Sequence, residues 1–127
     1  MTSTIVFVTD FPDAATAAQE ITPSGFELAV VAARSQEYKD ALKDSSYLVG
    51  FVDSLVDDEL FETGPNLKLI QLLSAGYDRA DIEAARKAGV PIANNGGANS
   101  VAVSEHAVLL MLAVSRQLVR QHTSVAA

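Results

Sequence analysis

The stretch "KLIQLLSAGYDRADIEAARKAGVPIAN", residues 68 to 94, decides the fold. It opens on "KLIQLL" (68–73), short and rich in Ile and Leu. It turns through "SAGYD" (74–78), continues as "DIEAARKAG" (81–89) and closes on "VPIAN" (90–94). Asp81 stands where a helix N-cap belongs, and Gly89 where a left-handed residue stops a helix, just after Arg86 and Lys87. A punctuated helix between two short apolar runs reads as a β-α-β unit, whose strands run parallel.

The same alternation extends toward the N-terminus. Further strands are expected at "STIVFVT" (3–9), "FELAVVA" (26–32) and "SYLVGFV" (46–52), with helices at 13–20, 36–44 and 57–64. Several of these strands are apolar at consecutive positions, the pattern of strands covered on both faces. The expected fold class is therefore α/β: a doubly wound parallel sheet of five strands with right-handed crossovers, for which the order 2-1-3-4-5 is taken as the expectation. The last element departs from this rhythm. From Ser100 to Gln121 the pattern is that of one long helix, about 30 Å at ~1.5 Å per residue, and "AVLLMLAV" (107–114) is apolar all round. Such a helix must be buried on every side, and a small sheet domain covers only one of them. The expected division is 1–99 for the sheet domain and 100–127 for a helix that meets a second domain, a partner chain or both.

With 127 residues, 49% hydrophobic and 20% charged, the chain has the composition of one globular domain and not of a disordered one. A net charge of −7 opposes a phosphate backbone or an anionic membrane surface, so neither nucleic acid nor membrane is an expected partner. There is no cysteine, and His106 and His122 lack metal-ligand spacing, so no metal site is implied. "MTSTIVFVTDFPDAA" lacks the basic region and long apolar run of a signal peptide, and the longest apolar stretch is eight residues. A soluble, cytoplasmic protein is expected.

In an open α/β sheet, ligands gather outside the carboxyl ends of the strands. Those ends carry Asp10, Asp53, "SAGYD" and "NNGGANS" (94–100). In "SAGYD" a small residue and a glycine let backbone N–H groups converge on an anion such as a carboxylate, although an ordinary strand-to-loop turn accounts for the same residues. "NNGGANS" suits left-handed turns and leads into a helix at Asn99 or Ser100; Asn99 reads equally as N-cap or ligand contact. Glu105 and His106 are neighbours, about 100° apart on a helix, and form no acid/base pair. His106 reads as an interface histidine. Asp57, Asp58 and Glu59 suit a helix N-terminus. No G-x-G-x-x-G or P-loop occurs, so no nucleotide phosphate cradle lies within the chain.

At this point the residues carry a family resemblance. "LKLIQLLSAGYDRADIEAARKAGVPIANNGGANSVAVSEHAVLLMLAVSRQL", Leu67 to Leu118, is similar to the D-isomer-specific 2-hydroxyacid dehydrogenases, while the first 66 residues fit only their domain architecture. The resemblance implies a flavodoxin-like substrate domain into which a Rossmann domain binding NAD or NADP is inserted. It implies that Ala75, Gly76 and Tyr77 offer backbone N–H groups to the carboxylate of a small 2-oxo or 2-hydroxy acid. It further implies that Asn99 makes a polar contact to that substrate and that Val103 lies near the nicotinamide. The helix from Ser100 would form much of a homodimer interface.

The family's Gly-rich fingerprint and its catalytic Arg, Glu and His would all fall beyond residue 127. The 127 residues are therefore expected to be a truncated portion, "RQLVRQHTSVAA" being a cut end, inactive alone and binding no cofactor alone. Two other readings stay open. One is a phospho-receiver module, with Asp10, Asp53 and Ser74 in roughly the required places but no second acid beside Asp10 and no Lys after the fifth strand. The other is a non-catalytic dimerisation module built on the last helix.

Overall fold

In the computed structural model, which describes residues 3–126, five strands form one sheet. They are β1 (Ser3–Val8), β2 (Phe26–Val31), β3 (Ser45–Gly50), β4 (Leu69–Leu72) and β5 (Ile92–Ala93). Their order is β2-β1-β3-β4-β5 with every pairing parallel, the order expected from the sequence. Helices α1 (Pro12–Ile21), α2 (Gln36–Leu42), α3 (Asp58–Thr63) and α4 (Ile82–Ala88) connect them.

The chain steps from β1 to β2 in one direction and from β2 back over β1 to β3 in the other. Right-handed crossovers then put α1 on one face of the sheet and α2, α3 and α4 on the other. Packing follows that division. Tyr38 and Leu42 of α2, Leu60 of α3 and Ala84 and Ala85 of α4 are buried, whereas α1 has no buried residue. Register aligns Ala29, Val6, Leu48, Ile70 and Ile92 in one row across the sheet, and Val6, Leu48 and Ile70 are fully buried. Each such side chain contributes roughly 1.5–3 kcal/mol by leaving water. Val6, Phe7 and Val8 are buried in succession, so β1 is covered on both faces as its apolar run requires. At the end of β3, Gly50 has φ +151°, and a Cβ there would lie 2.7 Å from the Val8 carbonyl oxygen. Only glycine lets the two central strands meet this closely.

Side-chain caps set the helix starts. Asp81 Oδ1 accepts from the Ala84 N–H at 2.9 Å, and Gly89 ends α4 with φ +70°. Asp57 caps α3 by accepting from the Leu60 N–H at 2.9 Å, with Asp58 and Glu59 in the first turn where the helix dipole favours them.

The chain divides into two compact units, Met1–Gly96 and Gly97–Ala127. The second holds α5 (Ser100–Ser115) and α6 (Leu118–Ala126). The single rod expected from Ser100 to Gln121 is therefore two helices, bent by 61°. The break has a local cause. Gln117 adopts φ +52°, the Arg116 N–H closes on the Leu112 carbonyl, and the Gln117 N–H closes on that of Val114. Ser115 Oγ also donates to the Leu112 carbonyl at 3.2 Å, competing for the last turn. The 16 residues of α5 give it a length of about 24 Å. Leu109, Leu110, Met111 and Leu112 are successive and exposed, so apolar surface circles the helix as the sequence indicated. Among the described residues no single helix is long and apolar enough to cross a membrane.

Candidate functional site

Because all five strands run the same way, the segments after β1, β3, β4 and β5 share one edge of the first unit. The decisive segment is residues 73–81, between β4 and α4. The Leu73 N–H donates to the Gly50 carbonyl at 2.9 Å, fixing where the segment leaves the sheet. Its next three carbonyls are each engaged. Ser74 O accepts from the Asn95 N–H at 2.9 Å, Ala75 O from Asn94 Nδ2 at 2.7 Å, and Gly76 O from Ser74 Oγ at 2.7 Å. Among the described residues, the N–H groups of Ala75, Gly76 and Tyr77 donate to no protein acceptor. These three amide protons are therefore left for water or for an anionic ligand. There is open space beside Gly76: a Cβ built there would meet only Asp78 Oδ2, at 3.3 Å.

The far end of the segment is held by an acid that the sequence had placed only loosely. Asp53 lies in a 3-10 turn, Asp53–Leu55, and is 7% exposed. Its carboxylate takes both prongs of Arg79, Nε on Oδ2 at 2.9 Å and Nη2 on Oδ1 at 2.8 Å. The Arg79 hydrogen bond holds the Asp53 carboxyl below its usual range, against the opposing effect of burial. In turn the hydrogen bond from Arg79 to Asp53 pushes the guanidinium up. Both Asp53 oxygens are committed to Arg79 and Ser74 Oγ is committed to Gly76, an arrangement that gives the phospho-receiver reading no open phosphoacceptor or switch hydroxyl.

Ala75, Gly76 and Tyr77 thus occupy one loop. Asn99 and Val103 belong to the second unit, at the start of α5. Asn99 holds the N-cap position, yet its side chain makes no capping bond. The Val103 N–H donates to the Asn99 carbonyl at 2.9 Å, one helical turn on. Sequence reasoning missed Asn94 and Arg79. Asn94 looked like part of a linker, and its role follows only once β5 is known to adjoin β4. Arg79 becomes legible once the ends of β3 and β4 are known to be neighbours.

Two other places have some features of a site. A concavity of about 140 Å³ between α2 and α3 is lined by Arg34, Tyr38, Lys39, Asp57 and Glu59, among others. Its polar groups are mostly spent: Lys39 pairs with Glu59 at 3.0 Å, Asp57 caps α3, and burial pushes the Tyr38 phenol up to about 12. At the switch between β1 and β3, α1 begins Phe11-Pro12-Asp13, with no glycine and with an acid in the first turn. These residues do not fit a dinucleotide pyrophosphate, which needs close backbone approach and a helix start without negative charge.

Sheet order, crossover pattern and the loops on one edge define a flavodoxin-like α/β domain. The chain belongs to the D-isomer specific 2-hydroxyacid dehydrogenase family, whose catalytic-domain model matches residues 5–126. It is 39% identical over 80 residues to a glyoxylate reductase of Thermococcus litoralis, covering 63% of this chain and 24% of that one. It is also 39% identical over 70 residues to a D-3-phosphoglycerate dehydrogenase of Archaeoglobus fulgidus, covering 55% of this chain and 13% of that one. The chain therefore spans about a quarter or less of these relatives. Among solved structures, D-lactate dehydrogenase from Aquifex aeolicus, complexed with NAD and lactic acid, superposes with a TM-score of 0.82 at 21% identity. That match covers 96% of this chain and 37% of the other. NAD-dependent formate dehydrogenase from Staphylococcus aureus gives 0.77 at 24% identity, over 94% and 40%. These two likenesses establish the fold.

Proposed function

We propose that this chain is the substrate-binding part of an NAD- or NADP-dependent D-2-hydroxyacid dehydrogenase, which moves a hydride between the nicotinamide and a small 2-oxo or 2-hydroxy acid. One observation carries the reading: among the described residues, three consecutive amides, at Ala75, Gly76 and Tyr77, have no protein acceptor while the carbonyls around them are engaged. The substrate carboxylate is their acceptor. Asn99 adds a polar contact to the substrate, consistent with its unused side chain, and Val103 lines the nicotinamide side. The dinucleotide cradle and the catalytic Arg, Glu and His are contributed from outside these 127 residues. Two copies associate through α5, and the enzyme works in the cytoplasm. Family membership and the names borne by the similar proteins support this assignment.

Alone, these residues bind and orient a carboxylate but supply no group that moves a proton at the 2-carbon oxygen. Calorimetric titration tests the division of labour. Oxamate, a non-hydrating isostere of a 2-oxo acid, should bind this chain, whereas NADH should not, and NADH with glyoxylate should show no turnover. Tight NADH binding, or no oxamate binding at millimolar concentration, would refute the assignment.

A further inference from the structure

We propose that Asp53 and Arg79 are a positioning pair, fixing the far end of the 74–78 loop so that the Ala75, Gly76 and Tyr77 amides keep the spacing a carboxylate requires. The inference rests on the reading of that loop as the carboxylate site and assigns two residues to it that touch no substrate.

The near end of the loop is tied to the segment after β5 twice, by the Asn95 N–H and Asn94 Nδ2, and is closed on itself by Ser74 Oγ. Beyond Gly76 the next backbone tie to another element is the Asp81 N–H on the Val56 carbonyl at 2.9 Å. Over that interval, among the described residues, Arg79 is the only side chain hydrogen-bonded to another element. Its two bonds run from different nitrogens of one rigid plane to different oxygens of one carboxylate. They fix both the position and the orientation of the guanidinium, which an ammonium could not do. The carboxylate is itself nearly buried, an unfavourable placement for a charge unless a specific partner compensates it. Stability alone is a poor reason for the arrangement. The Arg79 side chain is 70% exposed, and water screens a pair open on one side. What the pair does supply is a fixed distance between the end of β3 and the backbone two residues after Tyr77.

The test compares Asp53→Asn, Arg79→Gln and Arg79→Lys with the parent chain, reading oxamate affinity from the amide shift of Gly76 and fold integrity from the thermal midpoint. Positioning predicts weaker oxamate binding in Asp53→Asn and Arg79→Gln by about tenfold, the equivalent of one misaligned hydrogen bond to a charged group. Arg79→Lys, which keeps the charge and loses the fork, should be weakened nearly as much. Asp53→Asn is the discriminating variant. If Arg79 instead attracts the anion directly, releasing it from Asp53 tightens binding, and the proposal is overturned. Lower midpoints with unchanged affinity in the folded protein would show a merely structural pair and overturn it too. Absence of any Gly76 shift in the parent would remove the carboxylate reading itself, and the pair's role with it.

Discussion

Asp53 carries the most information per residue. As a nearly buried acid whose carboxyl is held below its usual range by Arg79, it stabilises the fold fully above the unfolded-state value of about 4. That contribution is lost as pH falls from there through the lower folded-state value. Asp53→Asn should therefore be destabilised relative to the parent at pH 7, with the gap closing progressively below about pH 4. Urea unfolding at several pH values checks this, and a pH-independent gap contradicts it. Gly50 makes a second residue-scale prediction. Gly50→Ala adds a Cβ 2.7 Å from the Val8 carbonyl at φ +151°, so a loss of about 2 kcal/mol or more is expected in the same assay. Neither residue's role was legible from the sequence. Asp53 stood out only as an acid after a strand, because its partner is 26 positions away and becomes a neighbour only when β3 and β4 pair.

At the scale of elements, the legible features were those written in consecutive residues. Asp81 and Gly89 announced both ends of α4 because a cap and a left-handed stop are local chemistry. Gly89→Ala should cost about 1 kcal/mol: φ is +70°, but nothing lies within 4 Å of the added carbon, so only the backbone penalty applies. Helix α5 shows where local reading stopped short. Its apolar circumference was plain, but the break at Gln117 was not, since "SRQ" has no proline or glycine to mark it. On the proposed dimer, four successive apolar residues exposed within their own unit are covered by a second copy. Sedimentation should show a dimer, and Leu109→Glu with Leu112→Glu should yield monomers; an unchanged dimer would place the contact elsewhere.

On the scale of the whole molecule, the parallel sheet followed from the β-α-β alternation, whereas the order 2-1-3-4-5, which the structure bears out, was one of several that alternation and right-handed crossovers allow. The candidate site was legible as a loop but not as a device. "SAGYD" reads as a turn or as an anion cradle, and what the structure adds is that Asn94, Asn95 and Ser74 occupy its carbonyls while, among the described residues, the N–H groups of Ala75, Gly76 and Tyr77 meet no protein acceptor. On the proposed function, the substrate carboxylate is the occupant of those three amides. The most direct test of that claim is an amide-resolved NMR titration of the chain with oxamate. If the loop holds the carboxylate, the largest shifts fall on Ala75, Gly76 and Tyr77; shifts centred instead on Arg34, Tyr38 and Lys39, or none at all, would rule it out.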